Sequence, residues 1–131
     1  MPLYPGALER LELDLDKRIG AAAAKAAEVT KAHLDEPGMG RKYPHLPHRS
    51  SAPGQYPARQ FGPLQDSVGS ERVASTVYHV GSIYNTPPEA YYMEFNSLKH
   101  GGRPWLSKSM RDPETHARMN RAVMMGTAGS D

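Results

Sequence analysis

The chain has 131 residues, 38% of them apolar, and 16 basic against 14 acidic side chains give a formal net charge of +2. That length fits one domain with a modest core, and so balanced a charge argues against a dedicated nucleic-acid binder. Without a single cysteine, disulfides, zinc–thiolate sites and cysteine nucleophiles are excluded.

Residues 5–34 predict one long helix. Leu8, Leu11, Leu15, Ile19, Ala22, Ala26, Val29 and His33 recur at steps of three or four, the spacing of one helical face. Pro5 suits the first turn. Acidic residues (Glu9, Glu12, Asp14, Asp16) precede basic ones (Lys17, Arg18, Lys25, Lys31), an order that complements the helix dipole. The run Gly20–Ala24 is thin enough for another backbone to approach. Such a helix either lies on its own sheet or also packs against a neighbouring subunit. The N-terminal stretch MPLYPGALERLELDLDKR has no basic region followed by an apolar block and so does not read as a secretory signal, and no apolar run approaches the roughly 20 residues that span a bilayer.

Glu36-Pro37-Gly38 stops the helix, because a residue before proline is pushed out of the α region. An extended arm follows over 34–63, punctuated by Tyr43-Pro44, Leu46-Pro47, Ala52-Pro53-Gly54, Tyr56-Pro57 and Gly62-Pro63. A loop this long is normally functional or disordered. Tyr43, Leu46, Tyr56 and Phe61 are its apolar anchors. They are expected to bury against a neighbouring subunit, since a small sheet cannot cover so long a segment.

Two antiparallel strands are predicted near 67–73 and 76–83, where Arg72–Val80 is rich in β-branched and aromatic residues. Thr86-Pro87-Pro88-Glu89 has the form of a capping box and starts a short helix over about 87–96. Asp112-Pro113-Glu114 repeats the start signal for a last helix to about Met125. Residues 126–131 read as a flexible tail. The fold class is therefore α+β: a long N-terminal helix, a small antiparallel sheet, a short middle helix and a C-terminal helix, in a single domain over 1–131.

Little of this sequence looks catalytic. His45-Leu46-Pro47-His48 offers two imidazoles, but no acidic residue lies between Met39 and Gln65 and interleaved prolines prevent a helix from setting ligand spacing. Ser50, Ser51, Ser107 and Ser109 lack an elbow-like glycine frame, and there is no phosphate-cradling glycine loop. Glu94, alone on a short helix, reads as a structural ion-pair partner, for example of Arg103. No metal, cofactor or catalytic residue is expected. Trp105, Phe95 and Glu94 are the candidate structural anchors. A basic group including Lys99, Arg103, Arg118 and Arg121 reads as a solvated face that can also meet DNA phosphates without sequence reading.

In order along the chain, Phe61-Gly62-Pro63-Leu64-Gln65-Asp66-Ser67-Val68 resembles a "tG-L-x-x-S-I" signature, Ala90-Tyr91-Tyr92-Met93-Glu94-Phe95-Asn96 a "YA-x-x-V-E-F-G" signature, and Arg103-Pro104-Trp105-Leu106-Ser107-Lys108-Ser109-Met110 an "R-P-F-L-x-x-A-L" signature. With the long helix before them, these pieces resemble the neck or tail-completion (head–tail joining) proteins of long-tailed bacteriophages, over roughly residues 5–125. Phe61 stands where that family usually has threonine, Asn96 where it has glycine, and Trp105 where it has phenylalanine. The resemblance implies a non-enzymatic virion protein that acts in the neck or tail and is assembled in the host cytoplasm. It also implies a ring of six copies that joins portal-connector proteins to the tail tube or terminator protein and surrounds the DNA path. No membrane is involved. A tail terminator capping the tube, or a small basic DNA-binding module, are the alternatives.

Overall fold

A 28-residue helix, α1 (Ala7–Leu34), about 42 Å long at 1.5 Å per residue, organises the molecule. The structure, a computed structural model, describes residues 6–51, 55–57, 62–91, 94 and 104–129. The helix starts after Gly6 rather than at Pro5, which lies outside the described residues, and stops at Leu34, one residue before Asp35-Glu36-Pro37. Its last turn is closed by the Asp35 and Glu36 amides, which donate to Ala32 and His33. Gln65, 31 residues on, donates its side-chain amide to the Leu34 carbonyl.

After the loop come a short helix, α2 (Pro63–Ser67), and a hairpin of β1 (Val68–Ala74) and β2 (Val77–Ser82). The strands pair antiparallel from Val68↔Ser82 to Arg72↔Tyr78. Val73 is then an extra residue before Ala74↔Val77, and Thr76 takes a left-handed φ of 60° in the turn. Only the base of the hairpin is buried; Val73 and Val77 at its tip are exposed. Pro88–Tyr91 forms α3, and Leu106–Arg111 and Pro113–Met125 form α4 and α5. This is the α+β arrangement expected from the sequence.

Two helices are absent from the sequence-based expectation, and one start signal works differently. Residues 63–67 fold as α2 instead of opening the sheet, with Pro63 in the first turn after a left-handed Gly62. Residues 106–111 form α4 where no local cap predicts a helix. Thr86 does not cap α3, which begins at Pro88: its hydroxyl donates to the Ser82 carbonyl at 3.1 Å. Asp112 does cap α5, accepting from the Glu114 amide at 2.9 Å with Pro113 next in line.

The core brings together Ala27 and Leu34 of α1, Tyr56, Leu64, Val68, Ala90 and Trp105. α5 runs antiparallel along α1: Asp112 lies beside His33 at one end, and Arg18 donates to the carbonyls of Val123 and Met124, at 2.6 and 2.8 Å, at the other. Gly126 ends α5 in a left-handed conformation, φ 72°, that glycine adopts without a Cβ penalty. The segment expected to be a free tail then returns to α1, where the buried Lys25 ammonium donates to the Gly129 carbonyl at 3.1 Å and pairs with Glu28 at 3.2 Å. Residues 130 and 131 lie outside the described residues.

Candidate interaction surface

The apolar stripe of α1 changes role half-way along. Ala22, Ala26 and Val29 are buried, Ala26 completely, under the rest of the fold. Leu8, Leu11 and Leu15 continue the same stripe but are 64%, 62% and 49% exposed. α5 ends at the level of Arg18, so nothing among the described residues covers the leucines beyond it.

One side of this projecting half is held by the hairpin. The Asp16 carboxylate accepts from the Thr76 amide at 2.7 Å and from Arg72 at 3.1 Å, and Glu12 accepts from Ser75 at 2.6 Å. The Thr76 amide, and after it the Arg72 guanidinium, hold the Asp16 carboxyl below the usual carboxylate range. Tyr78 crosses α1 at Gly20, where an added Cβ would lie 2.8 Å from the phenol oxygen. The thin patch Gly20–Ala24 is thus occupied by the chain's own Tyr78 and α5, rather than left open for a neighbour. The surface left open is the leucine stripe.

The arm is tied to its own subunit more than its sequence suggests. The Gly40 amide donates to the Ser50 carbonyl at 2.7 Å, and Ser50 returns a bond to Arg41 at 3.0 Å. Gln55 bridges Pro37 and Met39 with its side-chain amide. Side chains at 38 would collide with the Arg49 and Ser50 carbonyls, only 2.3 Å from a Cβ, which explains Gly38. At the tip, Tyr43 is exposed and Leu46 half-buried, with the Arg41 guanidinium 5.1 Å from the Tyr43 ring centre.

Tyr56, expected to bury against a neighbour, is instead covered by its own subunit. It is 6% exposed within its own subunit, its ring held between His33, stacked at 4.5 Å, and the Lys108 ammonium, 4.1 Å from the ring centre. Burial, with the charges of Asp112 and Glu36 added, pushes its hydroxyl up to about 12. That hydroxyl has no hydrogen-bond partner among the described residues. Phe61, Phe95, Lys99 and Arg103 lie outside the described residues. Arg118 is half-buried and Arg121 exposed on α5.

Trp105 is buried, and its indole N–H donates to the Ala90 carbonyl at 2.8 Å. Glu94 serves the same region as a cap. Its two carboxylate oxygens accept from the amides of Trp105, Leu106 and Ser107 at 2.9–3.0 Å, the open N-terminus of α4. Burial would raise its pKa, but the Ser107 side chain and the three amides outweigh that and lower it. No ion pair with Arg103 is needed to explain a carboxylate here.

Ser109, His33 and Asp112 meet in one place but do not form a working nucleophile. The Ser109 hydroxyl lies 3.2 Å from His33 Nδ1 and 2.8 Å from Thr30 Oγ1, and His33 Nε2 is 3.8 Å from Asp112. Ser109 is 0% exposed, so no substrate reaches it. The cluster fastens α4 to α1. Among the described residues, no group of three or more histidine or acidic side chains is placed to hold a metal, and no helix is long and apolar enough to cross a membrane.

Compared with the models of known protein families, with curated proteins and with solved structures, the chain matches none.

Proposed function

We propose that the chain is a structural subunit of a bacteriophage neck, a head–tail joining or tail-completion protein whose copies form a ring between the portal connector and the tail, around the DNA path. The observation that carries this reading is the leucine stripe that outruns its own core. A helix that buries one face over half its length and exposes the same face over the other half needs a partner for the remainder. In a ring of identical copies, each subunit both covers and is covered, and closure leaves no such face exposed. The sequence signatures at 61–68, 90–96 and 103–110 supply the choice of a phage neck among ring-forming proteins, and the α+β fold agrees with it. The protein's role in this reading is mechanical, and its contacts with DNA are to phosphate alone.

Electron microscopy of the native particle, or of the purified chain added to its portal-connector complex, tests this. The expected result is a closed ring of this chain, six copies by the resemblance, on the particle axis. A single copy off the axis, or none in the particle, would sink the proposal.

A further inference from the structure

We infer that His33, Ser109 and Thr30 form a hydrogen-bond relay whose direction reverses when His33 gains a proton, so that the arm's seat on α1 holds in both charge states. The inference does not depend on the ring reading. Four contacts lie in a row: the Ala26 carbonyl to Thr30 Oγ1 at 2.8 Å, Thr30 Oγ1 to Ser109 Oγ at 2.8 Å, Ser109 Oγ to His33 Nδ1 at 3.2 Å, and His33 Nε2 to the Asp112 carboxylate at 3.8 Å. Thr30 and Ser109 are fully buried, so neither hydroxyl has bulk water as an alternative partner.

Each hydroxyl has one proton to donate, and that sets the order of the row. A neutral imidazole carries one N–H. On Nε2 that proton faces the Asp112 carboxylate; on Nδ1 it would leave a bare lone pair facing the carboxylate instead. The neutral ring therefore holds its proton on Nε2, and Nδ1 accepts from Ser109. With its proton spent there, Ser109 accepts from Thr30, and the Ala26 carbonyl keeps its intrahelical bond alone. In the charged ring both nitrogens donate. Ser109 then accepts from Nδ1 and turns its own proton to Thr30, which turns its proton to the Ala26 carbonyl. One proton is added at Nδ1, two hydroxyls rotate, and no heavy atom has to move. Histidine is the side chain that changes charge near neutral pH, and here it can do so with an acceptor waiting on each nitrogen. Its ring is stacked on Tyr56, so a ring held in place is a seat held in place for the arm. Among the described residues, Asp112 of α5 is in direct reach of the new charge, and Glu36 past the end of α1 adds to it from beside Tyr56. Lys108 on the Tyr56 ring and Arg111 in the same cleft, both from α4, oppose it.

Nitrogen-15 NMR of the full chain labelled at histidine reads the ring directly, the His33 signals being those that show contacts to the Tyr56 ring. The neutral ring should be protonated on Nε2 alone. On acidification an Nδ1–H signal should appear that exchanges slowly with water, with the circular dichroism of the folded chain unchanged. Thr30→Val keeps the shape of the side chain and removes the far end of the relay. It should leave the neutral tautomer as it is but require a roughly tenfold higher proton concentration to charge the ring, because the Ser109 proton then has no acceptor. A role in packing alone would lower stability without moving that titration. In Ser109→Ala the Nδ1–H signal of the charged ring should lose its slow exchange. A neutral ring protonated on Nδ1, a titration that is the same in Thr30→Val and the parent, slow Nδ1–H exchange in Ser109→Ala, or unfolding as the ring charges would each overturn the relay.

Discussion

The two halves of α1 have the same periodicity and opposite surroundings. From Gly20 to Leu34 the stripe is roofed by α5, by the base of the hairpin and by Tyr56, and its small residues let those elements lie close. From Ala7 to Ile19 larger leucines occupy the same stripe with no roof among the described residues, while the hairpin tip grips the adjacent face through Asp16. Periodicity therefore marks out an apolar face, but not how far along it the chain's own fold will reach. Residue size adds a hint. Alanines suit a backbone packed close by within the subunit, whereas the leucines, with more apolar area, stand exposed.

The covered half should fail first when its roof is cut. Trp105→Ala removes the largest buried side chain of the roof and the bond to the Ala90 carbonyl, and should cost roughly 3–5 kcal/mol in urea unfolding. Trp105→Phe should cost less, since it keeps most of the apolar volume. A Trp105→Ala protein that melts like the parent would show that the indole is not part of the core.

Leucine truncation reads the comparison most directly. Leu34→Ala, at a fully buried site, should destabilise the isolated subunit by about 2–5 kcal/mol. Leu11→Ala should change it by no more than about 0.5 kcal/mol while weakening self-association in sedimentation. Equal losses of stability at the two positions would mean that the projecting half is covered within its own chain.

A smaller effect is expected where α4 joins the roof. Glu94 has a folded-state pKa below its usual value near 4.5, so its contribution is complete above that value and is lost as pH falls through the depressed folded pKa. Glu94→Gln should remove this acid-side loss and lower stability at neutral pH by about 1 kcal/mol, the scale of a lost helix cap. A stability–pH curve identical in parent and variant would contradict the cap.

Tyr56→Phe should have the smallest effect. Its hydroxyl is buried without a partner among the described residues, so deleting it should leave stability unchanged or raise it by up to about 1 kcal/mol. A clear loss would mean that the hydroxyl is hydrogen-bonded in solution.

The sequence by itself determined whatever rests on neighbours along the chain. Repeats of three and four placed α1, Glu36-Pro37 ended it, β-branched runs placed the two strands to within about a residue, and Asp112-Pro113 started α5. Each is a local preference of backbone or side chain, so each can be read locally. The tertiary structure alone decided the rest. α4 has no cap of its own and is started by Glu94, twelve residues before Leu106; Leu34 is capped by Gln65; Tyr56 of the arm is buried in its own subunit because it finds His33 and Lys108; and the tail is held by Lys25. These contacts join residues far apart in sequence, and no local pattern encodes which distant group will arrive. The same physics left the leucine stripe ambiguous until the end of α5 fixed where the roof stops.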